Sequence, residues 1–513
     1  MPRTYATVTS RRRLVGGALG AALASRSASS TPAAQSVETS SSERQPNIVL
    51  IVLDDLDSTV ITQLPEFQDL VAGRGATFTN FFVTTPLCAP SRASLLRGQY
   101  AHNHGMLTNN GPAGGFLAFH LLGREESTIA TWLHDAGYHT ALIGKYLNGF
   151  PKDVNRRFVP PGWDEWFGLT SKRSLYFGFT LNENGTVVDY GDDLADYLTD
   201  VLAVKATDFV GRMAGKKNPF FLYVAPIAPH APATHAPRDA ERFTDVQFTR
   251  SPSHNEADTS DKPAWLRDAP PLTDEQVGQV DENQRKRLRS LLPVLELIAN
   301  VEDELRSRDA LENTYFLITS DNGWFAGEHR LGVGKQAVYE ESIRVPLMVW
   351  GPGIPEGKKI EDLALNNDLA PTIAELAGVT PPAFVDGRSL APLLRGDPSP
   401  ASRQAVLIEL FATAQGSESQ PGADESSEPG KSAKDVPPYR ALRTTEAVYV
   451  EYDSGERELY DLRVDPYQLV NLANNTDPTL IDRFSTHLAE LARCAGDTCR
   501  TVENAPLEDF GIP

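Results

Sequence analysis

Four short polar motifs stand where apolar runs of strand length end: Asp54-Asp55 after IVLIVL, Lys145 after ALIG, His230 after YVAPIAP, and Asp321-Asn322 after FLITS. Ligands of an open α/β sheet bind beyond the carboxyl ends of its strands, so four motifs on that edge describe a site. Asp54, Asp55, Asp321 and Asn322 offer three carboxylates and an amide. Such hard oxygen donors suit Ca²⁺ or Mg²⁺, whereas zinc would want histidine or cysteine. Adjacent aspartates, or Asp-Asn-Gly, are alone ordinary turn or cap residues. Together, each behind a buried strand, they favour a cation, because carboxylates packed this closely need positive charge against their repulsion.

Cys88-Ala89-Pro90-Ser91-Arg92 is followed by Ala93-Ser94-Leu95-Leu96-Arg97-Gly98. Proline in a first turn and glycine past the end place Cys88 at the head of a short helix, where partial positive charge favours an anion or a nucleophile. Arg92, one turn on, can reach back to position 88. By cysteine count alone, Cys88 reads as an inert buried thiol; the other two cysteines, Cys494 and Cys499, lie close together near the end.

These motifs need a frame to hold them. Ile48–Leu53, Tyr138–Ile143, Phe220–Val224 and Tyr315–Thr319 are apolar runs of buried-strand length. Between them, Ser127–Ala136 has helical spacing and stops at Gly137, and Thr273–Arg306 is a long helical stretch interrupted by Pro293. The alternation predicts a large, mainly parallel α/β sheet sandwiched by helices. Residues 239–272 form a Pro/Asp-rich loop expected to border a pocket. Residues 412–438 are polar and low in complexity, expected to be a disordered insertion. A hairpin at Ala447–Tyr452 and Arg457–Leu462, then a helix at Leu480–Cys494, makes a small α+β appendage.

Composition narrows the partners. With 41% hydrophobic and 23% charged residues, the 513-residue chain has ample material for a core. A net charge of −20 repels phosphate backbones and excludes a nucleic-acid binder. An anionic substrate would have to be drawn by a local positive pocket or a metal. Arg11-Arg12-Arg13 followed by the apolar run Val15–Ala24 reads as an export signal of the twin-arginine kind, making residues 1–34 a signal and leader. A secreted or periplasmic protein is expected. No run approaches the roughly 20 apolar residues of a membrane span.

Cys-Ala-Pro-Ser-Arg is similar to the Cys-x-Pro-Ser-Arg signature of the type I sulfatases, in the alkaline phosphatase superfamily. The resemblance continues through PNIVLIVLDD, GKYLNG, Pro229-His230-Ala231-Pro232, SDNG, GEHRLGVGKQAVYEESIRVPLMVWGPG and ELYDLRVDPYQLVNLA. It implies an alkaline phosphatase-like fold, with residues 46–400 as the catalytic domain and 439–513 as a small C-terminal subdomain. It also implies that a formylglycine-generating enzyme converts Cys88 to formylglycine. The hydrated aldehyde would attack sulfur with one hydroxyl and expel sulfate with the aid of the other. Asp54, Asp55, Asp321 and Asn322 would hold Ca²⁺ with an oxygen of residue 88. Arg92 would fix the modified residue, Lys145 and Lys335 would contact the sulfate or leaving oxygen, and His230 would be the leaving-group acid or a sulfate contact.

One departure stands out. Many relatives carry, two positions after the lysine matching Lys145, a histidine that helps deprotonate the diol; here that position is Leu147, with Asn148 next. Gly-Lys-Tyr-Leu-Asn resembles the glucosamine-6-sulfatase branch and its bacterial relatives. Asn148 is a candidate substrate or diol contact but cannot take a proton. His102 and His104 are candidate bases by proximity to Cys88, although structural histidines are the plainer reading. Cys494 and Cys499 fit an exported protein with a small-loop disulfide.

The expected activity is therefore release of sulfate from an aryl sulfate or a sulfated sugar such as N-acetylglucosamine 6-sulfate. Rival readings are a phosphodiester or phosphonate ester hydrolase using the same residues, and a non-catalytic protein that binds sulfated glycans.

Overall fold

All seven residues of β1 (Asn47–Leu53) are buried, which is why the segment is apolar throughout: both faces of the strand are covered. Side chains alternate across a strand, and here Val49, Ile51 and Leu53 join one core cluster while Ile48, Leu50 and Val52 join another. Helices α3 (Leu198–Met213) and α4 (Asp274–Ser307) cover the first face. Helices α1 (Cys88–Arg97) and α2 (Ile129–Asp135) cover the second. The computed structural model describes residues 44–68, 71, 73–172, 175–397, 402–412 and 436–506. The expected export signal, and nearly all of the expected insertion at 412–438, lie outside them.

In chain order the sheet continues with β2 (Ala76–Phe78), β3 (His139–Gly144), β4 (Glu165–Lys172), β5 (Phe179–Glu183), β6 (Thr186–Asp189), β7 (Phe220–Ala225), β8 (Thr314–Ser320), β9 (Leu347–Trp350) and β10 (Lys358–Ile360). Across the sheet the order is β10-β2-β9-β8-β1-β7-β3-β4-β5-β6. The central run β8-β1-β7-β3-β4 is parallel. Its register pairs Leu53 with Ser320, Ile51 with Val224 and Ile143 with Val224. The carboxyl ends of β8, β1, β7 and β3 therefore lie level, and the four polar motifs follow those four strands.

The interruption expected at Pro293 is absent. Helix α4 runs through it from a capping box between Thr273 and Gln276. Proline removes one donor from the helical ladder, but Val294, Leu297 and Ile298 beside it are buried in the core shared with α3, and that packing carries the helix past the lost bond. None of the residues of loop 239–272 lines the cleft described below.

A second sheet is antiparallel, with β11 (Val406–Leu410), β12 (Tyr439–Arg443), β13 (Ala447–Tyr452) and β14 (Arg457–Asp461) adjacent in chain order. Helix α5 (Pro478–Leu491) packs on it through Phe484 and Leu488. Strand β11 precedes the low-complexity segment. The same core contains Phe82, Tyr100 and Tyr339 from the first 400 residues, so the second sheet packs on segments that lie outside the strands of the first. Cys494 and Cys499 are disulfide-bonded.

Arg403 joins these regions from a fully buried position, 2.6 Å from Asp368 and 3.0 Å from Glu503. Removing one partner of a buried ionic group leaves uncompensated charge. Arg403→Ala is expected to lower stability by about 3–5 kcal/mol, read as a shift in the urea-unfolding midpoint.

Candidate active site

Three carboxylates meet where β1 and β8 end. The Asp55 backbone N–H donates to Asp321 Oδ1 at 3.2 Å, and Asn322 Nδ2 donates to Asp55 Oδ1 at 2.6 Å. Asp54, Asp55, Asp321 and Cys88 place one ligand atom each within 4.8 Å of one another, all buried. Asp55 turns the chain with φ +66°, a left-handed geometry that aspartate tolerates better than most residues.

Cys88 opens α1, and the helix ends at Gly98 with φ +68°, the left-handed cap that glycine adopts without steric cost. Asn109 Oδ1 accepts from the Ala89 N–H at 2.8 Å and satisfies one of the free donors of the first turn. The sulfur lies 3.6 Å from Asp54 Oδ1 and 2.8 Å from Lys335 Nζ. Burial pushes the Cys88 thiol up to about 12 despite Lys145 and Lys335, so an unmodified cysteine would be a poor thiolate nucleophile at neutral pH.

Three cations interleave with the acids. Arg92 is fully buried and donates through Nε to Asp321 Oδ2 at 2.8 Å and through Nη1 to the Lys145 carbonyl at 3.3 Å. Lys145 Nζ donates to Asp54 Oδ2 at 2.5 Å, and Lys335 Nζ to Asp55 Oδ1. Burial alone would raise the Asp54 and Asp55 carboxyls. Lys145, His230 and Arg92 hold Asp54 well below the usual carboxylate range, and Lys335 and His230 lower Asp55. His230 Nδ1 donates to the Ala231 carbonyl at 2.6 Å, leaving Nε2 3.7 Å from Asp55 Oδ2. Burial lowers the His230 pKa although both aspartates oppose it.

The donor set fits a hard cation. Asp55 Oδ2 and Asn322 Oδ1 are buried without a hydrogen-bond partner, an arrangement that costs free energy unless something positive meets them. Carboxylate and amide oxygens suit Ca²⁺. Beside the cluster lies a cleft of about 470 Å³ lined by Asp54, Lys145, Leu147, Asn148, Phe150 and His230, among others. Asn148 is thus placed at the cleft. Lys335, which lies in no strand-end motif, enters the site from the segment after Val333–Gly334.

His102 and His104 are engaged elsewhere. His102 lies 2.7 Å from Glu409 and 3.0 Å from the Cys494 carbonyl. His104 Nδ1 accepts from the Met106 N–H at 3.1 Å, and Nε2 faces Ser94 Oγ at 3.1 Å. Both serve packing and capping, and neither contacts Cys88. The sequence reading missed Arg287, a fully buried cation that bonds to the Asp55 backbone; a lone arginine on a helix carries no motif.

Fold and site together define an ester hydrolase of alkaline phosphatase-like architecture. The Sulfatase family profile matches residues 46–379, and the chain belongs to that family, the hydrolases of sulfuric esters. It is 36% identical over 482 residues to N-acetylglucosamine-6-sulfatase of Homo sapiens, covering 89% of this chain and 86% of the relative. An arylsulfatase of Volvox carteri is 33% identical over 499 residues, covering 89% of this chain and 76% of the relative. Among solved structures, a protein in complex with its substrate D-glucosamine-2-N,6-O-disulfate aligns with TM-score 0.70 and 22% identity, over 90% of this chain and 99% of that one. A phosphonate monoester hydrolase from Silicibacter pomeroyi aligns with TM-score 0.66 and 21% identity, over 88% and 95%. The two structural matches speak to fold.

His104 yields a pH prediction. Burial, aided by nearby Arg97, lowers its folded-state pKa to about 3, while an unfolded histidine titrates near 6.5. The folded chain therefore binds fewer protons between those values, and stability falls as pH drops through that window. His104→Gln is expected to flatten the acid limb of stability by up to about 1.4 kcal/mol per pH unit, checked by denaturant unfolding between pH 7 and pH 4.

Proposed function

We propose that this chain cleaves sulfate esters with formylglycine made from Cys88 and with Ca²⁺ held by Asp54, Asp55, Asp321 and Asn322. The observation that carries this reading is the position of Cys88, at a helix head between Asp54 and Lys335 within the carboxylate cluster. Formylglycine at position 88, once hydrated, would offer two hydroxyls: one would displace the substrate alcohol from sulfur as the ester S–O bond breaks, and loss of the other's proton would reform the aldehyde as the C–O bond to sulfate breaks. Ca²⁺, when bound, supplies Lewis-acid polarisation and charge for the ester oxygens.

The remaining work falls to fixed side chains. Arg92, locked between Asp321 and the Lys145 carbonyl, orients residue 88. Lys145 and Lys335 offer ammonium protons to the sulfate oxygens and need little reorganisation, because Asp54 and Asp55 already hold them. His230 presents Nε2 to the leaving-group oxygen. Asn148 contacts the leaving group or the diol without moving a proton.

A sulfated sugar or an aryl sulfate is the substrate class, supported by the names of the two relatives above. The apolar and polar walls of the cleft, Leu147 and Phe150 against Asn148 and Lys145, suit a ring with polar substituents. We place the protein outside the cytoplasm, reached through the N-terminal signal after conversion by a formylglycine-generating enzyme. Among relatives, an extracellular sulfatase SULF-1 homologue of Drosophila melanogaster is 37% identical over 362 residues, covering 69% of this chain and 32% of the relative. No described helix is long and apolar enough to cross a membrane.

The mass of tryptic peptide Gly75–Arg92 from native-host protein is expected to carry the aldehyde at position 88. An unmodified thiol in active enzyme would overturn the formylglycine reading. Cys88→Ala is expected to lose at least about 10³-fold in kcat with unchanged folding. EDTA is expected to abolish turnover and Ca²⁺ to restore it. Turnover of N-acetylglucosamine 6-sulfate and 4-nitrophenyl sulfate well above that of a phenyl phosphonate ester separates this reading from the phosphonate hydrolase one.

A further inference from the structure

Arg287 lies on α4, outside every motif, and is fully buried. Its Nη2 donates to the Asp55 carbonyl at 2.7 Å and to Asp57 Oδ2 at 2.6 Å. Nη1 donates to the Pro229 carbonyl at 3.4 Å. The guanidinium carbon sits 5.2 Å from the centre of the Trp324 ring. These partners belong to three separate segments: the turn after β1, the loop carrying His230, and the stretch just past Asn322. One side chain therefore bonds the carbonyls of Asp55, a metal-ligand candidate, and of Pro229, next to His230, and lies against the Trp324 ring two residues past Asn322.

The geometry at Asp55 makes that contact consequential. Asp55 is a non-glycine residue at φ +66°, a region that side-chain-bearing residues rarely occupy without outside support. Its N–H is tied to Asp321 and its Oδ1 to Asn322 and Lys335. Its carbonyl, on the remaining side, has Arg287. The loop that Pro229 anchors brings His230 Nε2 to 3.7 Å from Asp55 Oδ2, the carboxylate oxygen that lacks a hydrogen-bond partner. A planar guanidinium spreads its donors over separate nitrogens in a rigid fork, here Nη1 and Nη2, whereas the three donors of an ammonium all sit on one nitrogen. The same grip explains why a buried arginine is kept here: Asp57, which also caps the following helix through the Val60 N–H at 2.8 Å, balances its charge.

We propose that Arg287 is a positioning residue for the cation site: it clamps the Asp55 turn and the Pro229-His230 loop so that Asp55 Oδ2 stays aimed into the site. The inference rests on the calcium reading above and goes beyond it in naming which buried contact sets the affinity. Outer-shell partners of metal ligands typically change metal affinity by about 10–100-fold when altered.

The test uses the full chain, stripped with EDTA and dialysed, with the Ca²⁺ dissociation constant measured by titration calorimetry and the calcium-free melting temperature measured in parallel. Arg287→Lys keeps a charge opposite Asp57 but cannot reach all three oxygens. The Asp57→Asn, Arg287→Met double variant leaves no unpaired buried charge and guards against simple misfolding. Both are expected to weaken Ca²⁺ binding per folded molecule by about 10–100-fold, whereas Asp57→Asn alone, which leaves the Asp55 and Pro229 contacts, keeps the wild-type constant. Wild-type affinity in Arg287→Lys and in the double variant, with only the melting temperature lowered, would overturn the proposal and make Arg287 a structural residue. Equal weakening in Asp57→Asn would overturn it too, by assigning the effect to the ion pair. Failure of the wild-type protein to bind Ca²⁺ would instead remove the calcium reading on which the proposal stands.

Discussion

Three carboxylates and three cations share one buried edge of the sheet, and much of the molecule is arranged to keep that balance. Asp54, Asp55 and Asp321 would repel one another in a low-dielectric setting. Arg92, Lys145 and Lys335 stand between them at hydrogen-bonding distance. Their formal charges cancel, so a divalent cation added to the oxygen cluster would leave the site positive. That local excess would let a chain of net charge −20 receive an anionic ester, since short-range field in a cleft outweighs a screened global charge.

The supporting structure can be understood from this requirement. A parallel sheet brings strand ends level, and the register of β8, β1, β7 and β3 delivers an acid pair, an acid-amide pair, a lysine and a histidine to one edge. Helix α1 delivers Cys88 and Arg92 a turn apart, and its first turn is steadied by Asn109. Side chains that look catalytic by type, such as half-buried His102 and buried His104, prove to be ties between segments. Their hydrogen bonds go to Glu409, Cys494, Ser94 and Met106.

The Leu147–Asn148 pair gives the cleft its individual character. Leu147 is almost fully buried and Asn148 nearly so, and both line the cavity next to Lys145. Leu147 contributes an apolar, non-titrating side chain to the wall. His230 is then the histidine that lines this cleft, with Nδ1 committed to a backbone carbonyl and Nε2 open.

Much of this was legible in the sequence because it is local. Continuous apolar runs betray strands buried on both faces, the Cys-to-Gly spacing betrays a short capped helix, and the strand-end position of Asp54, Asp55, Lys145, His230, Asp321 and Asn322 follows from those runs. Other features depend on which strands become neighbours. The amide of Asn322 meets Asp55 across 267 residues of chain, Arg287 reaches the same turn across 232, and β11 joins a sheet whose other strands follow the low-complexity segment. Pro293 misled as a breaker because tertiary packing outweighed one missing hydrogen bond. The sequence by itself determined the elements and the chemical types at their ends. Only the tertiary structure decided which charges neutralise which, because pairing energies depend on distances set by strand order and burial, and neither is a property of neighbouring residues along the chain.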